Sequence, residues 1–208
     1  MEKKEISGNL TSDARTLKTL LPAQDILTFD FSDGKSRKYV CFFADALTDK
    51  DLLAEQALRP LGRYAGAPEA KTMATHVLSP EVRTEKDFQK LAEEVLAGNP
   101  VVLWEGADEG LIVGIKKITV RAVAEPPTDV AIKGPREGFI EDVKTNTSLV
   151  RRRLKTGELM IEMLTVGRRP ATSVALCWLE GTCREDVVEE VRKKLSAIDI
   201  DAVPDSSY

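Results

Sequence analysis

Few side chains in this sequence could do chemistry, and they are scattered. His76 is the only histidine among 208 residues, and nothing at a useful spacing would build a triad or a metal site around it. A surface or core role is expected for it. Cys41, Cys177 and Cys183 are an odd set without C-x-x-C spacing, which argues against a disulfide framework or a zinc site. Cys177 lies in an apolar run and is expected in the core. Cys183 stands near a helix start, where a thiolate would be stabilised, but no base accompanies it. The acidic turn Glu105-Gly106-Ala107-Asp108-Glu109-Gly110 lacks the ligand spacing of a cation loop. There is no P-loop and no G-x-G-x-x-G. No catalytic residue, cofactor or metal is expected, and an enzyme is the least favoured class.

The polar residues with most to say lie between Lys133 and Lys155. Gly134-Pro135 sets a turn that opens a helix read as Phe139 to Leu154. At 100° per residue, Phe139, Val143, Val150 and Leu154 fall within about 60° of one another. That stripe is expected to pack on the rest of its domain. Asn146 falls on the same face, with Asp142 and Arg153 along its edge. An amide on a packed face must find partners, because burying it unpaired costs about 1–3 kcal/mol. Asn146 is therefore read either as a structural amide bonded to neighbouring backbone or, with Asp142 and Arg153, as lining a groove that meets a partner or ligand. Arg151-Arg152-Arg153 and Lys155 make a basic helix end. Such an end is either solvated and favoured by the macrodipole or, since the three arginines fan to different sides, paired with acids of a neighbouring subunit. Contact with lipid phosphate is a lesser third reading. Arg136 either bridges the helix start to another element, as a bidentate guanidinium can, or is an exposed turn charge.

A helix is expected over about 9–20, capped by Asn9 or Thr11. Strands follow at Ile26 to Phe31 and Tyr39 to Phe43, joined by a turn in which Gly34 supplies positive φ. Thr48 reads as a helix N-cap with Asp51 three residues on, and Thr84 likewise with Asp87. Pro60 to Pro68 reads as a connection. The second of these helices stops at Ala97-Gly98-Asn99. Strands are expected at Val101 to Trp104, Leu111 to Ile115 and Ile118 to Val123. Glu125-Pro126-Pro127-Thr128 is the best boundary, giving an N-terminal subdomain over 1–124 and a C-terminal one over 125–208. The latter reads helix, strand (Glu158 to Val166), strand (Thr172 to Leu179), helix (Arg184 to Ala197), with Ile198 to Asp201 as a last edge strand. The fold class is α/β, with α+β as its variant, in two small subdomains of helices on short sheets.

Bulk properties agree with a globular chain. Hydrophobic residues are 42% and charged residues 31%, and 30 basic against 34 acidic side chains leave a net charge of −4. That balance provides no basic field for nucleic acid. No run approaches a membrane span of about 18 apolar residues, and the charged start Met1-Glu2-Lys3-Lys4-Glu5 leads into no secretory signal core.

The segment Gly134-Pro135-Arg136, Phe139, Thr145-Asn146, Arg151-Arg152-Arg153 resembles the hallmark of the GerA family of spore germination proteins. Val166-Gly167-Arg168, Val174-Ala175-Leu176, Leu179-Glu180-Gly181 and Ile198-Asp199-Ile200-Asp201 continue the likeness, with Trp178 standing where a tyrosine is expected. Pro204-Asp205-Ser206-Ser207-Tyr208 resembles the lead-in to that family's membrane region. A sister branch, the SpoVAF-like proteins, shares much of this pattern. The resemblance implies the soluble N-terminal domain of a germinant receptor A subunit, with membrane spans following in the longer protein. It further implies residence in the spore inner membrane with this domain on the core side, B and C subunits as partners, self-association of A subunits, and conversion of nutrient detection into ion release. In that setting Arg136, Asp142, Asn146, Arg151 and Arg153 are the candidate contacts, and Gly134, Pro135, Phe139, Glu180 and Gly181 the structural motif. The alternative is a module that binds a nutrient small molecule in the cleft between the subdomains.

Overall fold

The computed structural model describes residues 5–117, 138–169 and 171–201. It combines helices with antiparallel sheets, the mixed α/β class expected. The chain divides into two compact units, one of residues 1–118 with 155–157 and one of 119–154 with 158–208. The expected strand at 118–123 and the proline boundary at 125–128 lie outside the described residues, as do Gly134, Pro135 and Arg136.

In the first unit a five-stranded antiparallel sheet lies between two helical layers. Its strands are β1 (Ile26–Ser32), β2 (Lys38–Ala44), β3 (Val82–Glu85), β4 (Val101–Trp104) and β5 (Gly110–Val113), in the order β1-β2-β4-β5-β3. The helices are α1 (Leu10–Leu20), α2 (Lys50–Leu53), α3 (Arg59–Arg63), α4 (Ala70–Ala74) and α5 (Phe88–Leu96). Period-two alternation in β2 sends Tyr39, Cys41 and Phe43 into one layer with Leu53, Leu61 and Met73. It sends Val40 and Phe42 into the other with Leu17, Phe88, Leu91 and Val95. An antiparallel sheet usually keeps one face wet; this one is covered on both, so β4 and β5 are buried at every position.

Local departures from the sequence reading have clear causes. In the β1–β2 turn the residue with positive φ is Ser36, at 63°, rather than Gly34. Asp33 replaces the glycine device: its buried carboxylate accepts from the N–H groups of Lys35 (2.8 Å) and Arg37 (2.9 Å) and from the Tyr39 hydroxyl (3.2 Å). The cap of α2 is Asp49, while the Thr48 hydroxyl donates to the Gly98 carbonyl at 3.3 Å. Asp87 caps α5 through the N–H groups of Gln89 and Lys90, and Thr84 belongs to β3. Pro60, expected in a connection, lies inside α3. A π-helical stretch, Ala54–Leu58, precedes it. The carbonyl that Pro60 leaves without its helical donor is that of Gln56, and it accepts instead from the Leu78 N–H at 2.8 Å. The helix therefore continues to Arg63.

The second unit comprises α6 (Val143–Arg153), a hairpin of β6 (Leu159–Val166) and β7 (Thr172–Leu179), and α7 (Glu185–Ser196). Pairing runs unbroken from Leu159↔Leu179 to Val166↔Thr172. Its small core holds Leu149, Leu159, Ile161, Val166 and Val188. Cys177, expected in the core, is exposed; among the described residues its sheet has two strands, which bury one face more fully than the other. The expected strand at 198–201 is irregular; it is nevertheless tied to the hairpin loop by the Arg168 N–H on the Ile200 carbonyl (3.0 Å) and the Arg169 N–H on the Asp201 carbonyl (2.6 Å).

Candidate interaction site

The start of α6 is built from two side chains. Asp142 is its N-cap, accepting from the Thr145 N–H at 2.8 Å and the Thr145 hydroxyl at 2.5 Å. A carboxylate there complements the positive end of the helix. Asn146 reaches back to Ile140: its Oδ1 accepts from the Ile140 N–H at 2.8 Å and its Nδ2 donates to the Ile140 carbonyl at 2.6 Å. One amide thus satisfies both backbone groups of one residue, as a neighbouring strand would. The helix begins at Val143 and not at Phe139, and its buried face is not the expected apolar stripe. The buried positions are Thr147, Ser148, Leu149 and Arg151, while Phe139 is 71% and Leu154 41% exposed. Phe139 is a large aromatic held outward next to a residue that Asn146 pins in place.

Arg151 corrects a second expectation. It is only 1% exposed, and its Nη2 donates to the Leu159 carbonyl at 2.9 Å. A guanidinium withdrawn from water must be paired inside the fold, and this one ties α6 to the start of β6 rather than reaching a partner at the surface. Arg152 and Arg153 are exposed in the last turn of α6. Gly181 adopts φ 77° in the turn leaving β7, a left-handed conformation that costs other residues about 1–2 kcal/mol. Next to it, the Glu180 N–H donates to the Glu158 carbonyl at 2.8 Å. Arg192 of α7 grips Glu162 of β6 with Nε at 3.1 Å from both oxygens and Nη2 at 2.8 Å from one. Beside that pair lies a cavity of about 350 Å³ lined by Trp178, Glu180, Cys183, Val188 and Glu189.

The first unit carries a polar groove of about 620 Å³ between β3 and α5. Arg83 pairs with Glu94 at 3.1 Å and Lys90 with Glu85 at 3.1 Å across it. The Asp87 N–H, with help from the Lys86 N–H and Lys90, holds the Glu85 carboxyl below its ordinary range against the opposing effect of burial. Asn99, which reads in sequence only as part of a helix stop, is 2% exposed in the groove wall. Its Nδ2 donates to Glu94, and its Oδ1 has no partner among the described residues.

The other candidates resolve into structure. Glu105 accepts from the Leu10 N–H at the start of α1, and Asp108 from the Ala70 N–H at the start of α4, both at 3.3 Å. The acidic turn therefore caps two helices, a role its sequence signals only by placing carboxylates in a loop. His76 is exposed, with its ring 4.5 Å from that of Tyr64. Burial pushes the Cys41 thiol well up. Among the described residues no helix is long and apolar enough to cross a membrane.

Residues 15–208 match the family model of the Bacillus/Clostridium GerA spore germination proteins. The chain belongs to the GerA family. Among its relatives, spore germination protein B1 of Bacillus subtilis is 32% identical over 212 residues, covering 97% of this chain and 43% of that protein. Spore germination protein KA of the same organism is 30% identical over 215 residues, covering 98% of this chain and 39% of its own length. The chain thus spans about two fifths of these curated GerA-family relatives. Its fold resembles the crystal structure of the N-terminal domain of the A subunit of the Bacillus megaterium spore germinant receptor GerK3, with a TM-score of 0.74 at 20% identity over 96% of this chain and 75% of that one.

Proposed function

We propose that this chain is the N-terminal domain of a germinant receptor A subunit, a non-enzymatic part that joins the receptor's subunits and passes nutrient detection towards ion release. Family membership supplies the process, spore germination. The observation that carries the assembly role is Phe139, 71% exposed and adjacent to an Ile140 held at both backbone groups by Asn146. An aromatic side chain presented on a pinned backbone is the kind of group that anchors interfaces, since little freedom is lost when it docks. Arg152 and Arg153, exposed in the last turn of α6, make that end of the helix basic, the complement of an acidic partner surface.

The parent protein is expected in the spore inner membrane with B and C subunits, at a mass well above the 22.9 kDa of this chain. Fractionated spores probed with an antibody against the domain test this, followed by co-isolation from detergent extracts. Membrane location, a larger band and recovery of B and C subunits are expected, with Phe139→Glu lowering that recovery. A soluble band at 22.9 kDa would overturn the reading. A second reading, nutrient binding, finds its best-equipped place in the groove around Arg83, Glu94 and Asn99, where charges of both signs surround a buried amide. Calorimetry with amino acids and sugars separates the two; heats abolished by Asn99→Ala would favour binding.

A further inference from the structure

Among the described residues the five-stranded sheet ends on one side at β1, which pairs there with β2 alone. The Asp33 N–H donates to the Arg37 carbonyl at 3.1 Å, and the Asp45 N–H to the Asp25 carbonyl at 2.9 Å. By the alternation of an antiparallel ladder, Leu27, Phe29 and Phe31 then bond to β2, and Ile26, Thr28, Asp30 and Ser32 turn their backbone N–H and C=O groups outward. This edge has no proline and no lysine, residues that commonly blunt exposed strands, and its register with β2 runs without a bulge. Its exposed side chains divide by face: Leu27 (36% exposed) and Phe29 (48%) on one, and Thr28, Asp30 and Ser32 on the other. The Phe29 ring extends a stacked row through Phe31 (6.1 Å) and Tyr39 (4.8 Å) into the core.

We propose that this edge pairs with β1 of a second copy of the chain, antiparallel, about a two-fold axis beside Phe29. The outward residues are all even-numbered, so only registers that oppose even with even can form bonds. Centred on Phe29, Thr28 of each copy faces Asp30 of the other and Ile26 faces Ser32, and every outward residue is partnered. A slide one way sets Asp30 against Asp30, like charges directly opposite. A slide the other way carries Ser32 past the end of the partner strand. The edge is self-complementary in one register, as an isologous interface requires. In that register the two Phe29 residues form a non-hydrogen-bonded pair with Cα atoms about 4.5 Å apart, and each Leu27 lies beside the other copy's Phe31. The two sheets become one, and the aromatic row continues across the axis.

The inference deepens the receptor reading and rests on it only for the setting. A paired strand alone buries less than a standard interface, so copies confined to one membrane would associate more fully than the free chain. The test uses the 208-residue chain carrying Cys177→Ser and Cys183→Ser, with Cys41 left buried. Under mild oxidation Phe29→Cys is expected to give a disulfide-linked dimer about tenfold faster than Leu27→Cys, because only position 29 meets itself within disulfide reach. Thr28→Pro, tolerated by the fold because its N–H points outward, should abolish that advantage, and so should Thr28→Lys, which leaves the backbone intact. Equal rates at positions 27 and 29, or a fast reaction that survives both Thr28 changes, would overturn the pairing. Neither result bears on co-isolation with B and C subunits, so the two readings fail separately.

Discussion

Buried and half-buried polar side chains in this protein take the place of backbone partners. Asn146 closes both bonds of Ile140, Arg151 meets the Leu159 carbonyl, and Asp33 gathers the donors of its turn. Burial pushes the Asp33 carboxyl up, but the N–H groups of Arg37 and Lys35, the Tyr39 hydroxyl and the Arg37 charge outweigh it and hold the group below 3.8. A carboxyl depressed in the folded state adds stability that is complete above its unfolded value and is lost as pH falls through the folded one. Asp33→Ala should therefore cost about 2 kcal/mol at neutral pH, the penalty of leaving donors unmet. Urea titrations of the native chain and the variant should converge as pH drops below 3.8. A gap that stays constant into acid would contradict the role given to the charge.

Elements here begin and end on side chains a few residues from where composition alone sets them. The segment from Val82 to Leu96 shows why. Thr84 and Asp87 both fit an N-cap, and Thr84 even has an acid three residues on. Pairing of Val82–Glu85 with β5 takes Thr84 into the sheet and leaves Asp87 to start the helix. Asp87→Ala should lower stability by about 1 kcal/mol, while Thr84→Ala should change it by less than half of that. Thermal melts of the two variants decide between the registers, and a larger loss from Thr84→Ala would reverse the assignment. The Pro60 helix follows the same logic, since a distant donor, the Leu78 N–H, takes up the Gln56 carbonyl and lets the helix run on.

At the scale of the molecule the two units have unequal cores. The first encloses its sheet between two layers that bury Trp104, Tyr39, Phe42 and Leu91 almost completely. Among its described residues the second protects one hairpin with few buried side chains and leaves Cys177 and Met163 exposed. Free energies of local opening follow buried apolar contact. Native-state hydrogen exchange should accordingly show amides of β2, β4 and β5 slowest and those of β6 and β7 faster by about tenfold or more, a difference near 1.4 kcal/mol. Uniform protection across both sheets would mean that the units open together.

Wherever the chain's own period or local chemistry decides, the sequence was legible. Apolar runs placed β2, β4, β6 and β7, the Ala97-Gly98-Asn99 stop ended α5, and the segment from Gly134 to Arg153 carried the family. Tertiary structure decided whatever depends on the partner across a gap. It chose between Thr84 and Asp87, moved the turn's positive φ to Ser36, turned Phe139 outward and drew Arg151 inward. It also joined Glu105 and Asp108 to helix starts 95 and 38 residues away in the chain. A sequence states what each residue can donate, accept or bury; which of these needs is met, and by whom, depends on neighbours that only folding brings within about 3 Å.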